Sequence, residues 1–123
     1  MAELAVLGCT VDITSGQTAT AKSITTSPSS NILVNGKGVY FGDIDVLLTA
    51  ISFVSGETFT CASGTITISG TGSNVLEETK KAVLKGDSGS KELMFTGVST
   101  GTQVPAIVTV KITDAGQTDV STP

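Results

Sequence analysis

Apolar residues in this chain come in short runs that alternate with Ser, Thr and charged positions. Turn-forming Gly, Asn and Ser interrupt the runs every 8 to 12 residues or so. That pattern predicts an all-β fold of short antiparallel hairpins. Residues 3–14 (ELAVLGCTVDIT) predict an opening strand, broken or bulged at Gly8, that offers Leu4, Val6, Val11 and Ile13 to a core. After a turn at TSGQT, a second strand is expected at 19–26, ending near Pro28, which lacks a ladder donor. In residues 31–43, NILV and GVYF flank Asn35-Gly36, a pair suited to the positive φ angles of a tight type I′ hairpin turn. Residues 46–54 (VLLTAISFV) favour a strand, although Leu47, Leu48, Ile51 and Val54 also fit a helical stripe. Further on, Ile66 and Ile68 alternate with Thr65, Thr67 and Ser69, the period of a half-buried strand. Segment 74–87 admits either a helix centred on EETKK or a hairpin with its tip near Glu78-Thr79. A closing hairpin is expected from ELMFTG and 104–120, with a turn at Asp114-Ala115-Gly116. Residues 1–120 then form one small domain and 121–123 a short polar tail.

Composition reinforces the β reading, since Ser and Thr supply 34 residues and Gly 14, while strong helix formers are scarce. The formal charge of −4 and the scattered lysines leave no basic stripe, which argues against nucleic-acid binding and against a charge-driven membrane contact. No apolar run approaches the roughly 18 residues of a membrane span, so stable membrane insertion is not expected. The opening MAELAVLGC has no basic region of a signal peptide, and cytoplasmic synthesis follows as an expectation. In that compartment Cys9 and Cys61 are expected as reduced, packed thiols, with a disulfide or a metal site as the alternatives. A closed metal site wants about four ligands, and the two thiols would need Asp12 or Asp43 to complete one.

The absence of histidine removes the usual general base near neutral pH and with it a Ser-His-Asp or Cys-His arrangement. Asp43/Asp45 and Glu77/Glu78 are paired carboxylates, but each sits among turn residues, where capping and solvation account for them. Neither GKG at 36–38 nor GDSGS at 86–90 has phosphate-loop spacing. No catalytic residue and no cofactor is therefore expected.

Two segments share a frame. SNILVNGKGVYFGD (30–43) and SNVLEETKKAVLKGD (73–87) both run Ser-Asn, an aliphatic pair, a polar centre, an apolar pair and Gly-Asp. The matched positions are Ser30/Ser73, Asn31/Asn74 and Gly42-Asp43/Gly86-Asp87, 43 residues apart at the start, with one extra residue in the second copy. Both Gly-Asp pairs read as structural hairpin ends, Gly for its φ and Asp for bonds to nearby amides.

These paired units, Ser30 to Asp43 and Ser73 to Asp87, together with the Gly-Gln segment within Lys111 to Val120, resemble PAAR and PAAR-like proteins. The resemblance implies a small cone of β-hairpins whose base sits, as a monomer, on the three-fold end of a trimeric spike. Such spikes belong to type VI secretion systems, phage tails and related contractile injection machines. It also implies a mechanical role in envelope penetration and delivery with the particle. The chain departs from the family in lacking a Pro-Ala-Ala-Arg motif and the histidines with which metal-binding members fix their apex. A body built from Ile32, Val34, Val39, Phe41 and the Ile66/Ile68 strand is expected. The rival readings are a β-sandwich binding or decoration module, and a homotrimeric fibre or tail subunit whose strand edges pair between copies.

Overall fold

The computed structural model describes residues 2–77, 79–118 and 120–122; side chains at 2, 73–77, 121 and 122 lie outside that description. The described residues are all strand, turn and loop, without a helix. Six strands form one antiparallel sheet: β2 (Thr10–Ile13), β3 (Ala21–Ile24), β6 (Asp43–Ser55), β7 (Glu57–Ser69), β10 (Ser88–Gly97) and β11 (Gln103–Asp114), in the order β2-β11-β10-β7-β6-β3. The sheet curls until its two edge strands, β2 and β3, meet. There the Lys22 ammonium lies 3.1 Å from an Asp12 carboxylate oxygen and nearly closes a barrel.

Strand β6 pairs with β7 from Asp43↔Ser69 to Ser55↔Glu57, and β10 with β11 from Ser88↔Lys111 to Thr96↔Gln103. The 46–54 run is thus strand throughout. In β6 the inward residues Ile44, Val46 and Leu48 alternate with outward ones; past Ala50, at φ 51°, the phase shifts and Ile51 is buried, and these side chains pack with Ile66, Ile68, Leu93, Phe95, Val108, Val110 and Ile112 in one core. Where the two long hairpins meet, registered pairing is confined to Thr96↔Thr60 and Gly97↔Phe59, and further along the strands touch through glycine. A Cβ on Gly64 would stand 2.6 Å from Leu93 Cδ1, and one on Gly89 2.0 Å from the Thr67 carbonyl oxygen. At Gly89, where the close atom is backbone, only glycine permits the approach; at Gly64 it is the end of the Leu93 side chain. At the far end Phe53 stacks on Phe59 at 5.2 Å and meets Phe95 edge-on at 4.9 Å, filling the barrel mouth.

Three two-stranded ribbons cap the other end: β1 (Ala2–Glu3) with β12 (Ser121–Thr122), β4 (Leu33–Val34) with β5 (Lys37–Gly38), and β8 (Gly72–Glu77) with β9 (Lys80–Ala82). The 74–87 segment is therefore the hairpin and not the helix. Thr79, at φ 73°, stands in its turn, and Glu78 lies outside the described residues. Ser121 and Thr122, read from sequence as a polar tail, pair with Glu3 and Ala2, and Pro123 lies outside the described residues. A second core of Leu4, Val6, Val34, Val39, Ala82 and Leu84, joined by the half-buried Ile32 and Phe41, fills the space under the ribbons.

Candidate functional site

The boundary between barrel and ribbons is a ring of three short segments, Leu4-Ala5-Val6, Val39-Tyr40-Phe41 and Ala82-Val83-Leu84. The end of each meets the start of the next through single antiparallel bridges, Val6↔Val39, Phe41↔Ala82 and Leu84↔Leu4. The three central residues close an inner circle of backbone hydrogen bonds. Tyr40 N–H donates to the Ala5 carbonyl (3.0 Å), Val83 N–H to Tyr40 (2.9 Å) and Ala5 N–H to Val83 (2.8 Å). Two residues out, a second circle runs in the opposite sense: Leu7 N–H to Gly38 (3.0 Å), Gly42 N–H to Lys81 (2.8 Å) and Lys85 N–H to Glu3 (2.8 Å). Six bonds thus follow one cyclic pattern, and each segment continues from one of the three ribbons. The ring is a pseudo-three-fold platform.

Alternation places its side chains. Ala5, Tyr40 and Val83 point into the barrel core, while their flanking residues point into the core under the ribbons. Burial raises the pKa of the Tyr40 phenol above its ordinary value, with the neighbouring Cys9 adding to the effect. Cys9, one turn beyond Val6, has its thiol pushed up to about 11, chiefly by burial, with the Asp114 charge also raising it. Its backbone N–H closes that turn on the Val6 carbonyl (2.9 Å), as Asp87 N–H does on Leu84 (3.0 Å). Gly8 and Gly86 occupy the same place in the two turns, at φ 97° and 98°.

The residues singled out from the sequence fall into this end unequally. Asn35 and Gly36, at φ 54° and 80°, make the two-residue turn between Val34 and Lys37, the geometry expected of an Asn-Gly hairpin. Ser30 and Asn31 are exposed; the neighbouring Ser29 hydroxyl accepts from the Asn31 and Ile32 amides at 3.1 Å each. The backbone of Ser73 and Asn74 runs in β8, and their side chains are outside the described residues. The two Gly-Asp pairs differ. Asp87 is buried, and its carboxylate accepts from Leu84 N–H (2.8 Å), Thr71 O–H (2.6 Å) and Thr71 N–H (3.2 Å). Asp43 is exposed and takes the Ser69 hydroxyl at 2.7 Å; Asp45, two residues on, takes that of Thr67 at 2.9 Å. The Asp43/Asp45 pair thus forms cross-strand bonds, and the Glu77 side chain and Glu78 lie outside the described residues.

Cys9 and Cys61 are both free thiols, Cys9 beside the ring and Cys61 on β7 opposite Ile51. Asp12 is committed elsewhere. Its carboxylate is held below the usual range by the Thr113 hydroxyl (2.5 Å) and by Lys22. Among the described residues no three His, Cys, Asp or Glu side chains cluster as metal ligands would.

The sequence reading missed the third ring segment and the residue that secures it. Buried Gln117 donates from Nε2 to the carbonyls of Leu4 (2.9 Å) and Val120 (2.7 Å) and accepts Val120 N–H (2.8 Å), tying the two ends of the chain into one ribbon. A signal was present: LAVLGC at 4–9 superposes on AVLKGD at 82–87 without a gap, Gly on Gly. It was hidden because this unit is split, its ring segment near residue 5 and its other ribbon strand near residue 121.

A scan against protein-family models, a search of curated proteins and a search of solved structures each gave no match.

Proposed function

We propose that this chain is a PAAR-like tip, a structural part without catalytic chemistry that caps the trimeric spike of a contractile injection machine as a monomer. The observation that carries the reading is the cyclic ring. A monomer placed on a three-fold axis faces a symmetry mismatch, and a platform with three backbone-equivalent corners reduces it, because each spike chain then meets a similar surface. The ribbon end, where the three-fold pattern lies, is the docking end in this reading, with Leu33 and Val120 as exposed apolar contacts on two of the ribbons. The barrel end then points forward, its long ladders resisting force. The protein would be made in the cytoplasm and leave with the particle.

Native mass spectrometry of the chain mixed with its cognate spike tests this. One tip on three spike chains is expected, and Leu33→Asp with Val120→Asp should abolish the complex while leaving the fold intact. No complex with wild type would overturn the reading. Sedimentation of the chain alone separates the rivals: a tip is monomeric, and a trimer in isolation indicates a fibre subunit.

A further inference from the structure

The ring is three-fold in its backbone but not in its side chains. Two residues past the ring centres stand Leu7, Gly42 and Lys85. Two of these corners carry long side chains and the third carries none. Gly42 adopts φ 73°, and a Cβ there would stand 3.2 Å from Cδ of Lys80, so both the backbone and the Lys80 stem favour glycine. Beside this bare corner lies an open cleft of about 490 Å³, between the loop at 26–29 and the start of β9. Ser27, Pro28 and Phe41 are among its walls, with Asp43 and Lys80.

We propose that this cleft binds a neutral saccharide of one or two rings. Its volume falls within the range of small-ligand sites. Phe41 is half-buried, so part of it faces the cleft and offers an apolar surface to the C–H face of a sugar, with Pro28 beside it. The polar wall suits vicinal hydroxyls, which donate and accept at neighbouring positions: Asp43 only accepts and Lys80 only donates. One acceptor place on Asp43 is used by the Ser69 hydroxyl, out of about four on a carboxylate. Lys80 forms no ion pair among the described residues. A phosphate would meet the Asp43 charge beside Lys80, which disfavours simple anions. The proposal goes beyond the tip reading and stands or falls without it.

The test is a nuclear magnetic resonance titration of the isotope-labelled monomer with glucose, galactose, N-acetylglucosamine and lactose, with glycine and sodium phosphate as contrasts. Saturable shifts are expected for at least one sugar, confined to the amides of 26, 27, 29, 41–43 and 80, with a dissociation constant of about 1 mM. Asp43→Asn and Lys80→Met should each weaken binding about tenfold. Ser27→Trp, which fills the cleft from an exposed position, should remove it, with the rest of the spectrum unchanged. No saturable shift with any sugar, shifts that persist in Ser27→Trp, or equal response to glycine or phosphate would each overturn the proposal.

Discussion

The barrel end and the ring end hold their chain segments by different means. Strands β6 and β7 pair along their length except at Ala50, and β10 and β11 nearly so, giving inward side chains neighbours fixed by long ladders. Each side of the ring, by contrast, is a single bridge, and its order comes from two circles of three hydrogen bonds plus a small apolar core. A ladder is made by residues close in sequence and tolerates local damage. A ring needs segments near residues 5, 40 and 83 at once, so each of its bonds depends on the other two. Damage to the barrel should therefore cost more energy, and damage to the ring should spread further across it.

The largest effect is expected from Phe95→Ala, which empties a fully buried site against Phe53. A loss of about 3–5 kcal/mol is expected, read as a lowered denaturation midpoint with an unchanged slope. Should the variant lose only the barrel's protection while the ring amides stay slow to exchange, the two ends would be separate folding units.

Next is Asp87→Ala, which strands the Leu84 and Thr71 amides without their carboxylate acceptor. The expected loss is about 2–4 kcal/mol. Hydrogen exchange should show Ala5, Tyr40 and Val83 accelerating together, although only Val83 adjoins Leu84 in sequence. Acceleration at Val83 alone would mean that the ring is not cooperative. Asp43→Ala, in the exposed Gly-Asp pair, should change stability by less than about 0.5 kcal/mol.

How far each end was legible in the sequence follows the same division. Ile66 and Ile68 alternating with threonines, the 46–54 run and Asn35-Gly36 all announce local pairing, and the structure has strands and the turn at those places. The all-β class was therefore readable, because neighbours in sequence make the ladders. Two ring segments showed as the repeated Gly-Asp frames. The third did not, since its halves lie at opposite ends of the chain and Gln117, which joins them, carries no periodic mark. Nor did the frame distinguish buried Asp87 from exposed Asp43, because Gly42-Asp43 stands one place earlier on the ring than Gly86-Asp87, so that only Asp87 reaches the Leu84 amide and Thr71. The cleft at Gly42 became visible only once Leu7 and Lys85 stood at equivalent corners.

Acid should separate the ends again, with a smaller effect. Asp12 is held below its ordinary range by the Thr113 hydroxyl first and Lys22 second, and Glu57 by the Thr100 hydroxyl first and the Ser99 amide next. Both belong to the barrel. A depressed carboxylate contributes stability that is present above its unfolded value and is lost as pH falls through the folded one. Stability should thus decline below the ordinary carboxylate values of 3.8 and 4.5. Asp12→Asn and Glu57→Gln should each flatten that decline, and because neither group is buried the change should be modest. An unaltered pH profile in the double variant would assign acid sensitivity to the ring end.

The finest probe is the thiol at the junction. Cys9 lies between ring and barrel with its pKa at about 11 against an ordinary 9.0, chiefly through burial. In Cys61→Ser, where Cys9 is the sole thiol, the thiolate fraction near pH 8 should be about a hundredfold lower in the folded protein than in the denatured one. A maleimide should label the native chain at least about tenfold more slowly, since the greater nucleophilicity of a high-pKa thiolate offsets part of the lost fraction, and the rate should keep rising with pH beyond 9. Adding Asp87→Ala makes the measurement bear on both ends. If the ring opens as a unit, Cys9 should label faster although Asp87 lies on another segment of the ring. If labelling stays slow while Val83 exchange quickens, burial at Cys9 belongs to the barrel, and the boundary between the two regions runs below the ring rather than through it.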